Sequence, residues 1–267
     1  MTSDGRLKVL ITGVYGLIGN LAYRHLSGQK DQYDVYGSGR RAVHSNRIDD
    51  TSILPVPVDH FTKADLADAD AVKSAIQGMD AVIHLGAVPD PGASFTDVLN
   101  SNIIGTYNTL EACRELGIKR LIYASSVMVN WGYFMYEEPY KAIREGRAAD
   151  IPASIPKLTI KHPVRPTEPY SASKVWGEGM CRTYADAHGI STVCLRIGWV
   201  NKQNAANGVY EQAIWFSHRD AVNVIELALK ATEKPGFEIC YGMTESPYRW
   251  VDIEHTHDRL GYVSQGR

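Results

Sequence analysis

Two residues of this sequence are well suited to moving a proton: Tyr170 and Lys174, in Tyr170-Ser171-Ala172-Ser173-Lys174. Four residues apart, they share one face if the segment is helical. A cation near a phenol favours the phenolate and lowers its pKa from about 10. A phenol tuned toward neutrality can exchange a proton with an alcohol or a carbonyl. The same spacing is common on helices that do no chemistry, so the pair takes its meaning from what precedes it. Ser125 and Ser126 follow the apolar run Arg120 to Ala124, where a hydroxyl could fix a substrate oxygen. Further upstream, Thr12-Gly13-Val14-Tyr15-Gly16-Leu17-Ile18-Gly19 spaces three glycines as GxxGxxG. Gly13 suits a tight turn, Gly16 lets a pyrophosphate approach the backbone, and Gly19 lets a helix pack close to a strand. A helix starting there offers free N–H groups and a partial positive charge to phosphates. A dinucleotide loop, strand-end hydroxyls and a Tyr/Lys pair, in this order, predict hydride transfer between a nicotinamide and a secondary alcohol or carbonyl.

These groups need a scaffold, and the hydrophobic pattern supplies one. Strand-length apolar runs at Leu7–Thr12, Tyr33–Gly37, Ala81–Leu85, Arg120–Ala124 and Thr192–Ile197 alternate with helical patterns at Leu17–Leu26, Ala69–Gln77, Phe95–Leu116 and Ser171–His188. Such alternation predicts βαβ units and a parallel sheet with helices on both faces, an α/β, Rossmann-type doubly wound fold. We assign residues 1–198 to this NAD(P)-binding domain. Within it, 131–169 carries six prolines and is too long for an ordinary loop, which suggests a lid-like or otherwise irregular insertion. Residues 199–267 are expected to form a small substrate-binding portion, with room for one further strand of the main sheet.

The second strand bears on the cofactor. In such folds an acid at its end holds the adenosine ribose. Here the segment reads Tyr33-Asp34-Val35-Tyr36-Gly37-Ser38-Gly39-Arg40-Arg41, with Gly39 at the acid's place and two arginines after it. Guanidiniums bind a 2′-phosphate through charge-assisted hydrogen bonds, so NADP is expected over NAD, with NAD still possible. Asp65 is placed to accept from the adenine amino group, and Leu66 to present backbone. Gly86-Ala87-Val88 lies along the cofactor, and Tyr15, Leu17, Ile18, Ala124 and Ile197 are expected to touch it too. Lys174 can also reach the nicotinamide ribose.

At this point the chain resembles a known family. TGVYGLIG, ADL, HLGAV, NIIGTYNTLEAC, ASS, YSASK and LRIG are similar to the extended short-chain dehydrogenase/reductases, which include the NAD(P)-dependent epimerases and dehydratases. The resemblance covers nearly the whole chain. It implies Tyr170 as acid/base, Lys174 as its partner, Ser126 as third member, and Asn102 near the proton relay. Within the family the chain looks most like uronate dehydrogenases and archaeal sugar-phosphate dehydrogenases. Trp215-Phe216-Ser217-His218-Arg219-Asp220 and Ile239-Cys240-Tyr241-Gly242-Met243 carry that likeness. The departures cluster at the substrate. Where that subfamily has Ser-Ser-Asn-His, this chain has Ser125-Ser126-Val127-Met128; Trp199 and Pro89 stand where serines are usual. Counting back from Gly132 would put Val127 at the hydroxyl position; anchoring on the strand puts Ser126 there, which we prefer. Val127, Met128, Trp131, Phe134 and Trp199 predict a more apolar pocket than a sugar needs, unless they pack the 131–169 insertion instead. The long helices often pair across a dimer in this family, so a homodimer is expected.

Composition narrows the alternatives. The chain has 267 residues, with 28 Lys+Arg against 30 Asp+Glu and a net charge of −2. No basic excess points to nucleic acid or an anionic membrane. The start Met1-Thr2-Ser3-Asp4 shows no leader and no apolar run is long enough to span a bilayer, so a cytoplasmic enzyme on a small-molecule substrate is expected. Cys113, Cys181, Cys194 and Cys240 form no CxxC pair, and His255-Thr256-His257-Asp258 lacks a partner segment, so no metal is expected. Two other functions remain open. One is a sugar epimerase or dehydratase that retains its NAD(P). Against it, Val127-Met128 offers no acidic pair, and the 69 residues after Gly198 are few for a nucleotide-sugar pocket. The other is a non-catalytic dinucleotide sensor, which has no need of a tuned phenol.

Overall fold

A computed structural model describes residues 5–48, 53–231 and 236–266; the leaderless start read at residues 1–4 lies outside them. The first βαβ units run β1 (Leu7–Thr12), α1 (Leu17–Ser27), β2 (Tyr33–Gly39), β3 (Phe61–Lys63), α2 (Ala69–Ile76) and β4 (Ala81–His84). Then α3 (Phe95–Val98) passes through a π-helical turn, Leu99–Ile104, into α4 (Gly105–Glu115), followed by β5 (Arg120–Ser126). A 3-10 turn, Val127–Asn130, leads to α5 (Trp131–Tyr136), α6 (Tyr140–Glu145), α7 (Pro169–His188) and β6 (Ser191–Ile197). Last come α8 (Gly208–Ile214), α9 (His218–Lys230), β7 (Phe237–Gly242) and α10 (Glu254–Leu260).

The strands form one sheet in the order β3-β2-β1-β4-β5-β6-β7, each pair parallel. Strands in such a sheet are covered on both faces, and their residues alternate between two cores. Val9 and Ile11 enter one core with Ile83, Ile122, Val193 and Leu195. Leu10 enters the other with Val82, Leu121, Tyr123 and Cys194. Helices α1 and α9 cover the first face, and α2, α4 and α7 the second. The order turns around at β1, whose neighbours are β2 and β4. A crevice forms outside the carboxyl ends of the strands at such a point, which is where ligands bind in open α/β sheets.

Two features differ from the expectations. The helix read across Phe95–Leu116 is interrupted by the π-helical turn, which places Asn102 inward at 1% exposure. The 131–169 segment, expected to be irregular, carries α5 and α6, and Phe134, Ile143, Ile155 and Leu158 are buried in the first core. Its anchor is distant in sequence: Trp250 stacks on Phe134 at 4.8 Å between ring centroids, and Leu158 N donates to Trp250 O at 2.9 Å. Beyond residue 198, α9 packs beside α1 and β7 pairs with β6, so this part shares the sheet and the first core.

Candidate active site

The strand ends open into a cleft of about 1630 Å³. Its floor is the glycine loop. Gly13 adopts φ +68° and its N–H bonds Ser38 O at 2.8 Å. A Cβ on Gly13 would lie 2.8 Å from Gly86 Cα, and one on Gly19 would lie 2.2 Å from Gly13 O. Both positions therefore require glycine for internal packing alone. Gly16 differs: it caps α1 with no side-chain hydrogen bond, leaving the first N–H groups of the helix for an anion. Beneath the loop, Thr12 Oγ1 and His84 Nδ1 lie 2.8 Å apart, and Gly86 N donates to Thr12 Oγ1 at 3.0 Å. Burial, with the Lys174 charge adding, brings His84 down to about 3, so a neutral imidazole supports the turn.

At the end of β2, Gly39 is followed by exposed Arg40 and Arg41, both facing the cleft. The loop continues over the glycine turn, where Ser45 N donates to Tyr15 O at 2.9 Å, and reaches the opposite rim, where Arg47 Nη1 donates to Pro89 O at 3.4 Å. Asp65 is exposed and turns back to accept from Ala67 N at 3.0 Å. A helix N-terminus without a side-chain cap and a cleft of this size suit a dinucleotide.

Helix α7 carries Tyr170 and Lys174. Glu168 caps it, its carboxylate accepting from Ser171 N at 3.0 and 3.1 Å while Ser171 Oγ accepts from Glu168 N, and Pro169 opens the first turn. This fixes Tyr170 and Lys174 on the face turned to β5. Ser126 faces the Tyr170 hydroxyl and acts to lower its pKa, and its Oγ accepts from Met128 N at 3.2 Å. Ser125 points the other way and donates to Glu178 Oε1 at 2.6 Å. The strand-anchored register thus sets Ser126, not Val127, against the phenol. Lys174 Nζ donates to Ala124 O at 2.8 Å and sits 5.8 Å from the Tyr170 ring centroid.

The electrostatics correct one expectation. Lys174 was expected to lower the Tyr170 pKa. Here Tyr170 is instead raised, because burial of the phenol outweighs the opposing influence of Ser126 and the Arg47 charge. Burial also brings Lys174 down to about 8. The lysine's hydrogen bond goes to a backbone carbonyl rather than to the phenol.

Behind the pair lies a network that sequence reasoning missed. Arg196 Nε and Nη2 donate to the two Glu178 oxygens, each at 2.8 Å. Arg196 Nη1 donates to Asn130 Oδ1 and Tyr241 Oη, each at 3.0 Å. Glu178 is one turn after Lys174 on α7, so the network ties that helix to β5, β6 and β7.

Most of the expected residues converge on the cleft: Gly13, Tyr15, Gly16, Leu17, Ile18, Gly19, Gly39, Arg40, Arg41, Asp65, Leu66, Gly86, Ala87, Ala124, Tyr170, Lys174 and Ile197 on the cofactor side, with Ser125, Ser126, Val127, Met128, Trp131 and Trp199 beyond. Val88 and Asn102 do not line it. Asn102 works behind the wall: its Oδ1 accepts from Val88 N at 2.8 Å, and its Nδ2 donates to Val88 O at 3.2 Å and Ser173 Oγ at 3.1 Å. It joins the strand-four loop to α7. Cleft residues absent from the sequence reading include Arg47, Met135, Tyr136 and Tyr210. The aromatic run Trp131–Tyr136 was a readable signal for two of these.

Comparison with known proteins agrees with this geometry. The model of the NAD dependent epimerase/dehydratase family matches residues 9–201. The NAD-dependent glucose-6-phosphate dehydrogenase of Haloferax volcanii is 31% identical over 96% of this chain and 92% of its own length. The uronate dehydrogenase of Pseudomonas putida is 30% identical over 98% and 85%. Among solved structures, uronate dehydrogenase from Agrobacterium tumefaciens superposes with a TM-score of 0.76 at 26% identity, over 98% of this chain and 85% of that one. A mutant of it complexed with NAD gives 0.76 at 25% identity, over 97% and 85%. Glycine loop, sheet order and Ser/Tyr/Lys cluster place the chain with NAD(P)-dependent oxidoreductases, and it belongs to the NAD dependent epimerase/dehydratase family.

Proposed function

We propose that the protein interconverts a secondary alcohol, or a sugar hydroxyl, and the corresponding carbonyl, with NADP preferred over NAD. The observation that carries this reading is the convergence of Ser126 at the end of β5 with Tyr170 and Lys174, one turn apart on α7, on the wall of one dinucleotide-sized cleft. When bound, the reduced cofactor would supply the hydride and the oxidised cofactor would accept it. The chain's own groups handle the oxygen. Ser126 Oγ holds the substrate oxygen beside the phenol. Tyr170 donates its proton to that oxygen in reduction and takes it back in oxidation. Lys174, anchored to Ala124 O, holds a positive charge 5.8 Å from the phenol ring at neutral pH. Asn102 and Glu178 hold the elements that carry these groups. Arg40 and Arg41 favour NADP, since each is free to meet a 2′-phosphate.

Relatives named as sugar dehydrogenases match along most of their own lengths, whereas the Streptomyces lividans UDP-glucose 4-epimerase is covered over 54% of its length. This favours net oxidation or reduction over epimerisation. No described helix is long and apolar enough to cross a membrane. A cytoplasmic homodimer, with residues from 199 onward helping to bind substrate, completes the proposal. The test is Tyr170→Phe: turnover should fall by three orders of magnitude or more while NADPH fluorescence titration gives an unchanged affinity. Retained turnover overturns the mechanism.

A further inference from the structure

We propose that the substrate presents an apolar body to this site, an aryl or branched-alkyl group on the carbonyl carbon in place of a polyhydroxylated ring or chain; this rests on the oxidoreductase reading above. Beyond Ser126 and Tyr170 the cleft is walled by Met128, Trp131, Met135, Tyr136, Trp199 and Tyr210. They come from the turn after β5, from α5, from the loop after β6 and from α8, so four separate elements bring apolar surface to one place. Three of them remain open to solvent: Tyr136 at 62%, Tyr210 at 40% and Trp199 at 38% exposure. Contiguous exposed apolar surface in a concave site marks a surface made to be covered.

The wall is also held in shape. The Trp131 ring lies 4.9 Å from Phe134 and 6.2 Å from Trp250, and Phe134 in turn packs 6.1 Å from Tyr210. Trp199 is pinned through its backbone, its N–H donating to Ile214 O at 2.6 Å and its carbonyl accepting from Phe216 N at 2.9 Å. A pre-formed apolar wall loses little on binding a rigid apolar group.

Several polar groups near this wall are already engaged. Ser125 is bonded to Glu178. Asn130 accepts from Arg196 and Tyr241 and donates to Pro163 O at 3.1 Å. Asn201 bonds Ala205 through both ends of its amide. Glu168 accepts from Ser171 N, and Glu211 from Asn207 N. Val127 is 3% exposed and offers no hydrogen bond from its side chain. Lys202 and Gln203 are exposed. The Ser126/Tyr170 pair can take the reacting oxygen; further hydroxyls would meet mainly ring faces and thioethers, with Lys202, Gln203 and the wall's own phenol and indole edges as the polar groups within reach. Each such hydroxyl left unpaired lowers kcat/KM by roughly 5- to 150-fold.

The experiment measures kcat/KM for the full chain with NADPH on two sets of carbonyls of matched size. One set is aryl and branched-alkyl ketones; the other is ketoses, with uronic acids and aldoses assayed in the oxidative direction with NADP. The proposal expects the apolar set to lead by 100-fold or more. It also expects Trp199→Ser to lower kcat/KM for the best apolar ketone about tenfold, chiefly through KM, with Trp199→Phe restoring most of it and the NADPH KM unchanged. Equal or faster turnover of the polyhydroxylated set overturns the inference and leaves hydride transfer intact. An unchanged KM in Trp199→Ser removes the wall from substrate binding. Turnover of neither set overturns the hydride-transfer reading, and the inference with it.

Discussion

Replacing Glu178 by glutamine should destabilise the protein far more than a surface charge change does. Glu178 and Arg196 have side chains 6% and 2% exposed and share two bonds of 2.8 Å. Hydrogen bonding to Glu178 keeps the buried guanidinium charged, with its pKa raised despite the opposing effect of burial. In Glu178→Gln that cation faces a neutral amide in a low-dielectric interior. Leaving a buried charge unpaired costs about 3–5 kcal/mol. For a chain of this size each kcal/mol lowers Tm by about 2–4 °C, so the expected drop is roughly 6–20 °C. Glu178→Leu with Arg196→Met removes both charges and should recover much of that loss. Activity should not recover with it, because Ser125 loses its acceptor and Asn130 one of its two donors, and both flank the Ser126 turn. The assay is thermal unfolding of the two variants beside kcat/KM. A Glu178→Gln protein within about 1 kcal/mol of the parent would refute the reasoning, as would a double variant that is stable and fully active.

Three further outcomes follow from the same geometry. Arg40→Ala and Arg41→Ala should each weaken NADP binding by about 10- to 150-fold, the worth of a charge-assisted bond of ~1.5–3 kcal/mol, and leave NAD affinity unchanged; equal losses for both cofactors would remove the 2′-phosphate from the account. Burial lowers Lys174 from its ordinary 10.5 to about 8, so between those values the unfolded chain binds more protons and stability rises with pH. Comparing denaturant midpoints at pH 8 and pH 10 for the cofactor-free parent and Lys174→Met should show this rise, about 2 kcal/mol, only in the parent; identical slopes would contradict it. The Arg47 charge lowers the Tyr170 pKa, so Arg47→Gln should move the phenol's limb of the kcat/KM profile to higher pH, and a profile unmoved or shifted downward would exclude that influence.

What the sequence made legible was local. The glycine loop is a short-range pattern between one strand and one helix, and Tyr170 with Lys174 is a single helical turn. What was hidden depends on partners far along the chain. Asn102 bonds Val88 and Ser173, 14 and 71 residues away. The 131–169 segment takes its order from Trp250. Ser125 and Ser126 look interchangeable until strand alternation sends one side chain to Glu178 and the other to Tyr170. The cap of α7 escaped because it reverses the usual pattern, with Glu at the cap and Ser three residues on. The phenol's tuning was misread because spacing gives proximity to a cation but not burial, and burial is the larger effect here.

The central claim is net hydride transfer with Tyr170 handling the proton. It is tested most directly with NADPH carrying deuterium at the transferring C4 position, together with any carbonyl the protein turns over. The account predicts one deuterium on the former carbonyl carbon of each product molecule, and loss of that transfer in Tyr170→Phe while NADPH still binds. Product formed without deuterium, or label transferred at the parent rate by Tyr170→Phe, would contradict it.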